Sequence, residues 1–523
     1  MPKPIIIALV KAVHWHFNII YTFGQHWTNT IRMSLFIKKP LAQLLAQAAD
    51  SGKALKRTLG AGNLVALGVG AIIGAGLFVR TAAAAGGAAG PAVVVSFIIA
   101  AVGCAFAGLC YAEFASMIPV AGSAYTYAYA TLGEIVAWAI GWSLVLEYAL
   151  GAATVAISWS QYLNNLMGGS IPYEWCHSPM EMSATGVHGI INTPALFILT
   201  IITLILIKGT QESAIVNAII VVIKVSIVLI FIALGWKFIN PTNYVPFIIP
   251  PDAPNVVAPN GEVHSYAPLF NHGWTGVMHG AAIVFFAFIG FDAVSTAAQE
   301  TKNPKRDMPI GILGSLAICT ILYVLFSHVL TGVAPYTDFI KEGKEASVAY
   351  AITTYMPGYG WLATLVSAAI LAGFSTVILA MLYGQSRVFF SMSNDRLLPR
   401  IFSDLHSSFR TPYKSNLILL VFTGAIAGFV PESLTGNLTS IGTLFAFVLV
   451  CVGIWVMRRT DPTTERPFRT PWVPLVPILG VLVCTALIVS LDTMTQVVAF
   501  VWLLIGLVIY FTYSKKNSAL RNQ

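Results

Sequence analysis

Hydrophobic residues occur along this chain in long runs, without the alternation of a strand or the narrow stripe of a soluble helix. A helix that crosses a bilayer needs roughly 20 mostly apolar residues, at ~1.5 Å per residue across ~30 Å of hydrocarbon. About twelve segments meet this requirement. They lie near 63–83, 91–118, 130–165, 192–208, 213–237, 274–299, 308–333, 360–390, 415–430, 438–457, 472–490 and 494–513. The pattern predicts an all-α integral membrane protein.

The composition excludes several other classes of protein. Of the 523 residues, 57% are hydrophobic and only 10% are charged, whereas a soluble protein has about 25% charged residues. So little charge cannot solvate a soluble surface, which excludes a soluble enzyme, a nucleic-acid binder and a disordered chain.

The distribution of Lys and Arg predicts the orientation. Most of the 29 basic residues fall in the termini and in alternate loops, and such loops face the cytoplasm. We therefore expect both termini in the cytoplasm of a multi-pass cell-membrane protein, and the net charge of +8 needs no nucleic acid. Residues 1–62 form a predicted cytoplasmic segment with an amphipathic helix over 38–59, and 514–523 form a cytoplasmic tail.

The first predicted span contains a run of glycines, in the sequence GVGAIIGAG over 68–76. Glycine weakens a helix by roughly 0.5–1 kcal/mol relative to alanine, so this run predicts an unwound stretch. Close packing of small residues against a neighbouring helix is the alternative interpretation.

The sixth predicted span reads VFFAFIGFD over 284–292 and joins a glycine to an intramembrane carboxylate. Asp292 either lies near the end of one helix or begins a second half-helix, where the helix dipole favours a negative charge. We favour a second half-helix.

These two interrupted spans occupy matching places in two predicted five-helix repeats, 63–237 and 274–457, which two further helices over 472–513 follow. Such a pair indicates a secondary transporter built from inverted repeats. Freed N–H groups bind a carboxylate and freed carbonyls bind an ammonium, so the site suits an amino acid. The candidate substrate-binding residues are Ala71, Ile72, Ile73, Gly74, Ala75, Gly76, Phe286, Ala287, Phe288 and Ile289.

Lys224 lies in the middle of the fifth predicted span, about eleven residues, or ~16 Å, from either end. Its side chain cannot reach water from there, and a buried lysine can gain or lose its proton at cellular pH. We expect it to couple transport to protons by donating to span one and to Ser375 and Thr376 of span eight. A static salt bridge with Glu147 of span three is the alternative.

No motif for nucleotide binding, hydrolysis or metal coordination is present, so the sequence predicts no enzyme activity, cofactor or metal. The chain instead resembles a known family. GVGAIIGAGLFV (68–79) and CYAEFASMIPVAGSAYTYAY (110–129) resemble the amino acid–polyamine–organocation permeases. FFAFIGFDAVSTAAQETKNPKRDMPIGI (285–312), YGQSRVFFSMSNDRLLP (383–399) and RPFRTPWVP (466–474) resemble the cationic amino acid transporters, here of bacterial type.

This resemblance implies a five-plus-five inverted repeat with helices one and six broken, and two extra helices. It also implies a side-chain pocket between spans one, three, six and eight, where Glu147 and Asp292 are possible pocket or gate residues. Related proton-driven members carry a lysine where this chain has Lys224. At Asp395-Arg396 the family often has Asp-Gly, a departure on the cytoplasmic side.

Three functions remain open at this stage. We expect proton-coupled uptake of amino acids by alternating access, with cationic and small neutral substrates both possible. An amino acid or polyamine exchanger is the alternative, and a non-transporting amino acid sensor is a third. The expected partners are the substrate, protons and the lipid bilayer, while the sequence leaves the oligomeric state open.

Overall fold

A computed structural model provides the structure of the chain. It describes residues 35–41, 43–44, 59–120, 122–183, 185–209, 214–258, 261–341 and 347–522. The predicted amphipathic helix over 38–59 lies mostly outside these residues, and residues 1–34 lie entirely outside them.

Most of the described residues lie in helices. In chain order the α-helices are α1 (Ala61–Ile72), α2 (Thr81–Ala84), α3 (Val93–Met117), α4 (Ser123–Thr131), α5 (Glu134–Val145), α6 (Gly151–Leu166), α7 (Thr193–Lys208), α8 (Ala214–Gly235), α9 (Gly273–Val284), α10 (Pro304–Val333), α11 (Asp338–Lys341), α12 (Ser347–Tyr355), α13 (Gly360–Asn394), α14 (Tyr413–Phe429), α15 (Glu432–Thr460), α16 (Leu475–Ser490), α17 (Thr493–Ile509) and α18 (Lys515–Asn517).

Short helices of other types extend or interrupt these elements. The π-helical segments are Gly76–Arg80, Ala85–Ala89, Leu146–Leu150 and Tyr510–Ser514. The 3₁₀ segments are Gly90–Ala92, Tyr173–Trp175, Trp236–Phe238, Pro241–Tyr244, Leu269–Asn271, Phe285–Phe288, Asp292–Glu300 and Arg400–Phe402. One small antiparallel hairpin, β1 (Val256–Val257) and β2 (Val263–His264), lies in the long loop before α9.

Within the described part of the chain, eight helical segments are long and apolar enough to cross a membrane, and four shorter apolar helices accompany them. The prediction of an all-helical membrane protein is therefore confirmed. Helices α8 and α10 both pack against α1, and α8 also packs against α13. This arrangement places mid-membrane side chains of α8 between the first broken helix and α13.

Carboxylates hold the helix ends together at the end of the molecule predicted to face the cytoplasm, here called the inner end. Glu113 of α3 accepts hydrogen bonds of 2.8 Å from both Nε and an Nη of Arg458 in α15. Glu134, at the start of α5, accepts one of 2.6 Å from Arg521 in the C-terminal tail. Lys39 lies 2.6 Å from Asp395 at the end of α13. The last two contacts tie Lys39 and the C-terminal tail to the helix bundle.

Arg80 is a basic residue that follows the glycine-rich part of the first span. It lies in the π-helical segment that follows the first break, is buried, and contacts Glu432 at 3.4 Å and Asn437. A charge at this depth is tolerable because a carboxylate accompanies it.

Candidate functional site

The first broken helix ends at Ile72 and restarts at Gly76. Ile73 is extended, with φ −73° and ψ 101°. After the break, the Leu77 N–H donates to the Gly74 carbonyl at 3.1 Å, not to the Ile73 carbonyl that a continuous α-helix would use. The break therefore frees a backbone acceptor inside the helix bundle.

The second break lies where the sequence predicts it. Helix α9 passes into the 3₁₀ turn Phe285–Phe288, Ile289 is extended, and Gly290 has φ +111°. Only glycine adopts that backbone conformation without strain. Asp292 then begins the segment Asp292–Glu300, so it lies at the start of a second half-helix.

The two breaks cross each other closely. A Cβ on Gly76 would overlap the Cα of Ala287, and one on Gly290 would lie 3.0 Å from the Ala71 carbonyl oxygen. The glycines therefore let two unwound backbones meet. Most of the candidate substrate-binding residues are buried at this crossing, and Ala71 is half-buried. These residues are Ile72, Ile73, Gly74, Ala75, Gly76, Phe286, Ala287, Phe288 and Ile289.

Lys224 reaches the first break from α8. Its Nζ donates to the carbonyl oxygens of Gly70 at 2.9 Å and Ile73 at 3.1 Å, and its side chain is only 2% exposed. The stem of the side chain passes Gly373 of α13, where a Cβ would lie 2.6 Å from the lysine Cε. The ammonium group thus supplies donors to acceptors that the break has released.

The two hydroxyls expected to assist Lys224 both donate within their own helix. Ser375 donates to the Leu371 carbonyl at 2.9 Å, and Thr376 donates to the Gly373 carbonyl at 2.8 Å. Both are hydrogen bonds back to the same helix, a common pattern for hydroxyls in membrane helices. In this structure the lysine contacts the backbone of the first span, while these hydroxyls satisfy their own helix.

Glu147 also departs from its alternative role as the salt-bridge partner of Lys224. Within the described part of the chain, its carboxylate oxygens accept no hydrogen bond. The carboxyl group is fully buried and lies beside Asp292. Asp292 in turn accepts a hydrogen bond of 2.7 Å from the Tyr148 hydroxyl. Spans three and six thus place two buried carboxyl groups side by side next to the second break.

Sequence reasoning missed one residue of this site, Tyr323 of α10. Its hydroxyl lies 2.9 Å from the Ile72 carbonyl oxygen and 2.9 Å from the Ala287 carbonyl oxygen, so it touches both breaks. The available signal was a single phenol in the otherwise apolar run ILYVLF over 321–326. A phenol in an apolar helix is common, and its partners depend on tertiary packing.

The chain matches one family model and several known proteins. Residues 59–514 match the family model described as "Amino acid permease". The chain is 43% identical over 492 residues to the "Branched-chain amino acid permease BcaP" of Bacillus subtilis (strain 168), covering 93% of this chain and 99% of that relative.

Two further relatives are similar along most of this chain. It is 40% identical over 490 residues to the "Methylthioribose transporter" of the same bacterium, covering 93% of this chain and 99% of that relative. It is 35% identical over 415 residues to "Cationic amino acid transporter 4, vacuolar" of Arabidopsis thaliana, covering 79% of this chain and 65% of that relative.

Proposed function

The chain belongs to the amino acid permease family, and from that premise we propose that it takes up neutral amino acids together with protons. It is a multi-pass membrane transport protein for amino acids or related solutes, and it is not an enzyme. The finer parts of the proposal are the coupling ion, the binding mode and the substrate class.

The proposed architecture is a five-plus-five inverted repeat of 63–237 and 274–457 followed by two further helices, about twelve spans in all. Both termini face the cytoplasm under the positive-inside rule. The two repeats rock against each other, so the site between the breaks opens to one side of the membrane at a time. The crossing of Gly76 and Ala287 supports this arrangement, because it brings the two interrupted helices together.

The proposed substrate site is the crossing of the two breaks. A substrate carboxylate would bind N–H groups at the start of the half-helix beginning at Gly76, and its ammonium would bind carbonyls released at the breaks. Phe286 and Phe288 at the second break leave an apolar surrounding for the substrate side chain. Glu147 and Asp292 remain pocket or gate candidates on spans three and six.

The proposed coupling residue is Lys224, and its two hydrogen bonds to the first break are the observation that carries the proposal. When charged, the lysine holds the Gly70 and Ile73 carbonyls and stabilises one shape of the break. When it loses the proton, those contacts weaken and the break can change shape. Proton binding and the state of the substrate site are thereby linked.

For the substrate we propose aliphatic neutral amino acids. Support comes from the apolar residues at the second break and from the 43%-identical relative that is named for branched-chain amino acids. The resemblance to cationic amino acid transporters favours arginine or lysine instead, and a buried carboxylate such as Glu147 would be the natural partner of that side chain.

The test is uptake of labelled leucine, alanine and arginine into liposomes that contain the purified protein. We expect leucine or alanine to accumulate under an inward proton gradient and to leak out when a protonophore collapses the gradient. Uptake that ignores the gradient but requires amino acid inside the vesicle would show an exchanger. Accumulation of arginine alone would contradict the proposed substrate class.

A further inference from the structure

We infer that Tyr323 is a positioning residue for transport, and that its hydroxyl transmits the state of the second break to the first break and so to Lys224. This inference rests on the proposed function, because it concerns the coupling of substrate binding to the proton on Lys224. It goes further by assigning the link to one hydroxyl group on a helix outside both breaks.

The phenol of Tyr323 joins the two breaks directly. Its oxygen lies 2.9 Å from the carbonyl of Ile72, the last residue of α1, and 2.9 Å from the carbonyl of Ala287 in the second break. The side chain is fully buried, so water does not compete for these carbonyls. One hydroxyl therefore contacts backbone from both halves of the molecule.

The ring is held in place by neighbouring aromatic side chains. The ring centroid of Tyr323 lies 5.5 Å from that of Phe97 in α3 and 5.3 Å from that of Phe288 in the second break. Both separations lie in the range of favourable aromatic contacts. The hydroxyl thus has a fixed position, and a shift of the Phe288 backbone would also press on the ring.

A phenol carries a single proton, whereas two carbonyls face it. It can donate a full-strength hydrogen bond to only one of them at a time. When a substrate ammonium donates to the Ala287 carbonyl, the hydroxyl proton of Tyr323 is free to donate to the Ile72 carbonyl. Without substrate, the two carbonyls share it. Substrate bound at the second break therefore changes how strongly Tyr323 holds the Ile72 carbonyl at the end of α1.

The first break passes this change on to the lysine through adjacent residues. Gly70 and Ile73, whose carbonyls accept from Lys224, lie on either side of Ile72 in the chain. A displacement of the Ile72 carbonyl consequently moves both acceptors of the ammonium group. Tyr323 and Lys224 hold the same short stretch of backbone from two helices, α10 and α8.

The test compares Tyr323→Phe with Tyr266→Phe in liposomes. Tyr266 is a matched control because it is equally buried. It lies in the long loop before α9, and its hydroxyl donates to a single carbonyl, that of Gly86, at 2.8 Å. Two activities are measured over a range of external pH: accumulation of labelled substrate under a proton gradient, and exchange of external for internal substrate without a gradient.

We expect Tyr323→Phe to reduce gradient-driven accumulation roughly fivefold to tenfold, the factor that one net hydrogen bond represents. Exchange should stay within about twofold of the unmodified protein, and the pH dependence of uptake should flatten. Tyr266→Phe should leave both activities unchanged. An equal loss of both activities with a lower melting temperature in Tyr323→Phe would show a merely structural role and overturn the inference, as would unchanged accumulation.

Lys224→Ala in the same assays separates this inference from the proposed function. If Lys224→Ala keeps gradient-driven accumulation, the proposed coupling through the lysine fails. If Lys224→Ala loses it while Tyr323→Phe behaves like the unmodified protein, only the role of Tyr323 fails.

Discussion

The cations at the inner end of the molecule and the lysine at its middle are held by different kinds of acceptor. Arg458 and Arg521 donate to the carboxylates of Glu113 and Glu134 at 2.6–2.8 Å. Lys224 instead donates to two backbone carbonyls at 2.9 and 3.1 Å. Both kinds of contact join helices that are distant in sequence, but they respond differently to the loss of a proton.

Under the proposed coupling, this difference separates charges that stay fixed from one that changes during transport. An arginine stays protonated at cellular pH, and its carboxylate partner keeps the inner helix ends together. The carbonyl oxygens that face Lys224 are neutral, so loss of its proton leaves no isolated negative charge on them. The inner end is therefore suited to holding the structure, and the centre is suited to switching. The predictions below probe that division, in order of expected effect.

The largest expected effect on stability comes from Glu113→Gln. This substitution leaves Arg458 and the nearby Arg466, 3.3 Å away, without their buried carboxylate. Breaking a buried ion pair on one side costs about 3 kcal/mol or more. We expect a clear drop in the melting temperature of the purified protein, while folded protein that survives keeps its dependence on the proton gradient.

The control for this prediction is Glu465→Gln. Glu465 pairs with Lys305 at 3.0 Å, but both side chains are mostly exposed, and exposed pairs contribute little to stability. The melting temperature of the Glu465→Gln protein should equal that of the unmodified protein. A Glu113→Gln protein that keeps its melting temperature but loses gradient-driven uptake would contradict the division, because it would place coupling at the inner end.

Gly373→Ala should have an intermediate effect on stability and a specific effect on coupling. A methyl group there would lie 2.6 Å from Cε, 3.2 Å from Cγ and 3.3 Å from Cδ of Lys224. Overpacking of this kind typically costs about 1–3 kcal/mol. The flexible lysine stem must move, which draws its ammonium group away from the first break. We expect reduced gradient-driven uptake.

Gly384→Ala is the matched control on the same helix. A methyl group at that position would lie 3.5 Å from the Tyr148 ring, an ordinary contact distance. Uptake by this variant should equal that of the unmodified protein. If both alanine substitutions reduced uptake equally, the cause would be a general change in α13 and not a displaced Lys224 side chain.

The smallest expected effect concerns Asp492, which caps the N-terminus of α17. Burial alone would raise the pKa of this carboxyl group, but hydrogen bonds from Thr495 and Asn437 hold the pKa below its ordinary value. A carboxylate with a lowered pKa in the folded state stabilises the protein above the unfolded pKa of about 4. That contribution disappears as the pH falls through the folded value.

Asp492→Ala should therefore lower stability by about 1 kcal/mol at neutral pH, the usual contribution of a cap. The difference in melting temperature between the variant and the unmodified protein should shrink as the pH approaches 3. A difference that stays constant over this range would show that the charge of Asp492 contributes nothing.

The features that the sequence predicted well are those in which a residue type is unusual for a membrane helix. A run of glycines in an apolar span indicated the first break, and the structure has Ile73 extended within it. A glycine followed by Asp292 indicated the second break, and Asp292 begins the segment that follows it. These features are visible in sequence because a membrane helix seldom tolerates them without a reason.

The features that sequence could not predict depend on the rotation and register of packed helices. The sequence does not show that Ser375 and Thr376 donate to carbonyls of their own helix, and their part in proton coupling stays a prediction. Tyr323 gave little signal, although its hydroxyl touches both breaks. At Arg396, where the resembled family often has glycine, the backbone still adopts a positive φ of 57°. Arg396 thus adopts a backbone conformation that ordinarily favours glycine.

The most direct test of the central claim is the effect of Lys224→Ala on the two modes of transport in liposomes. Lys208→Ala is the control, because Lys208 is an exposed lysine at the end of α7. We expect Lys224→Ala to lose accumulation driven by a proton gradient but to keep exchange of substrate across the membrane, with Lys208→Ala unchanged in both. Full gradient-driven accumulation by Lys224→Ala would contradict the account.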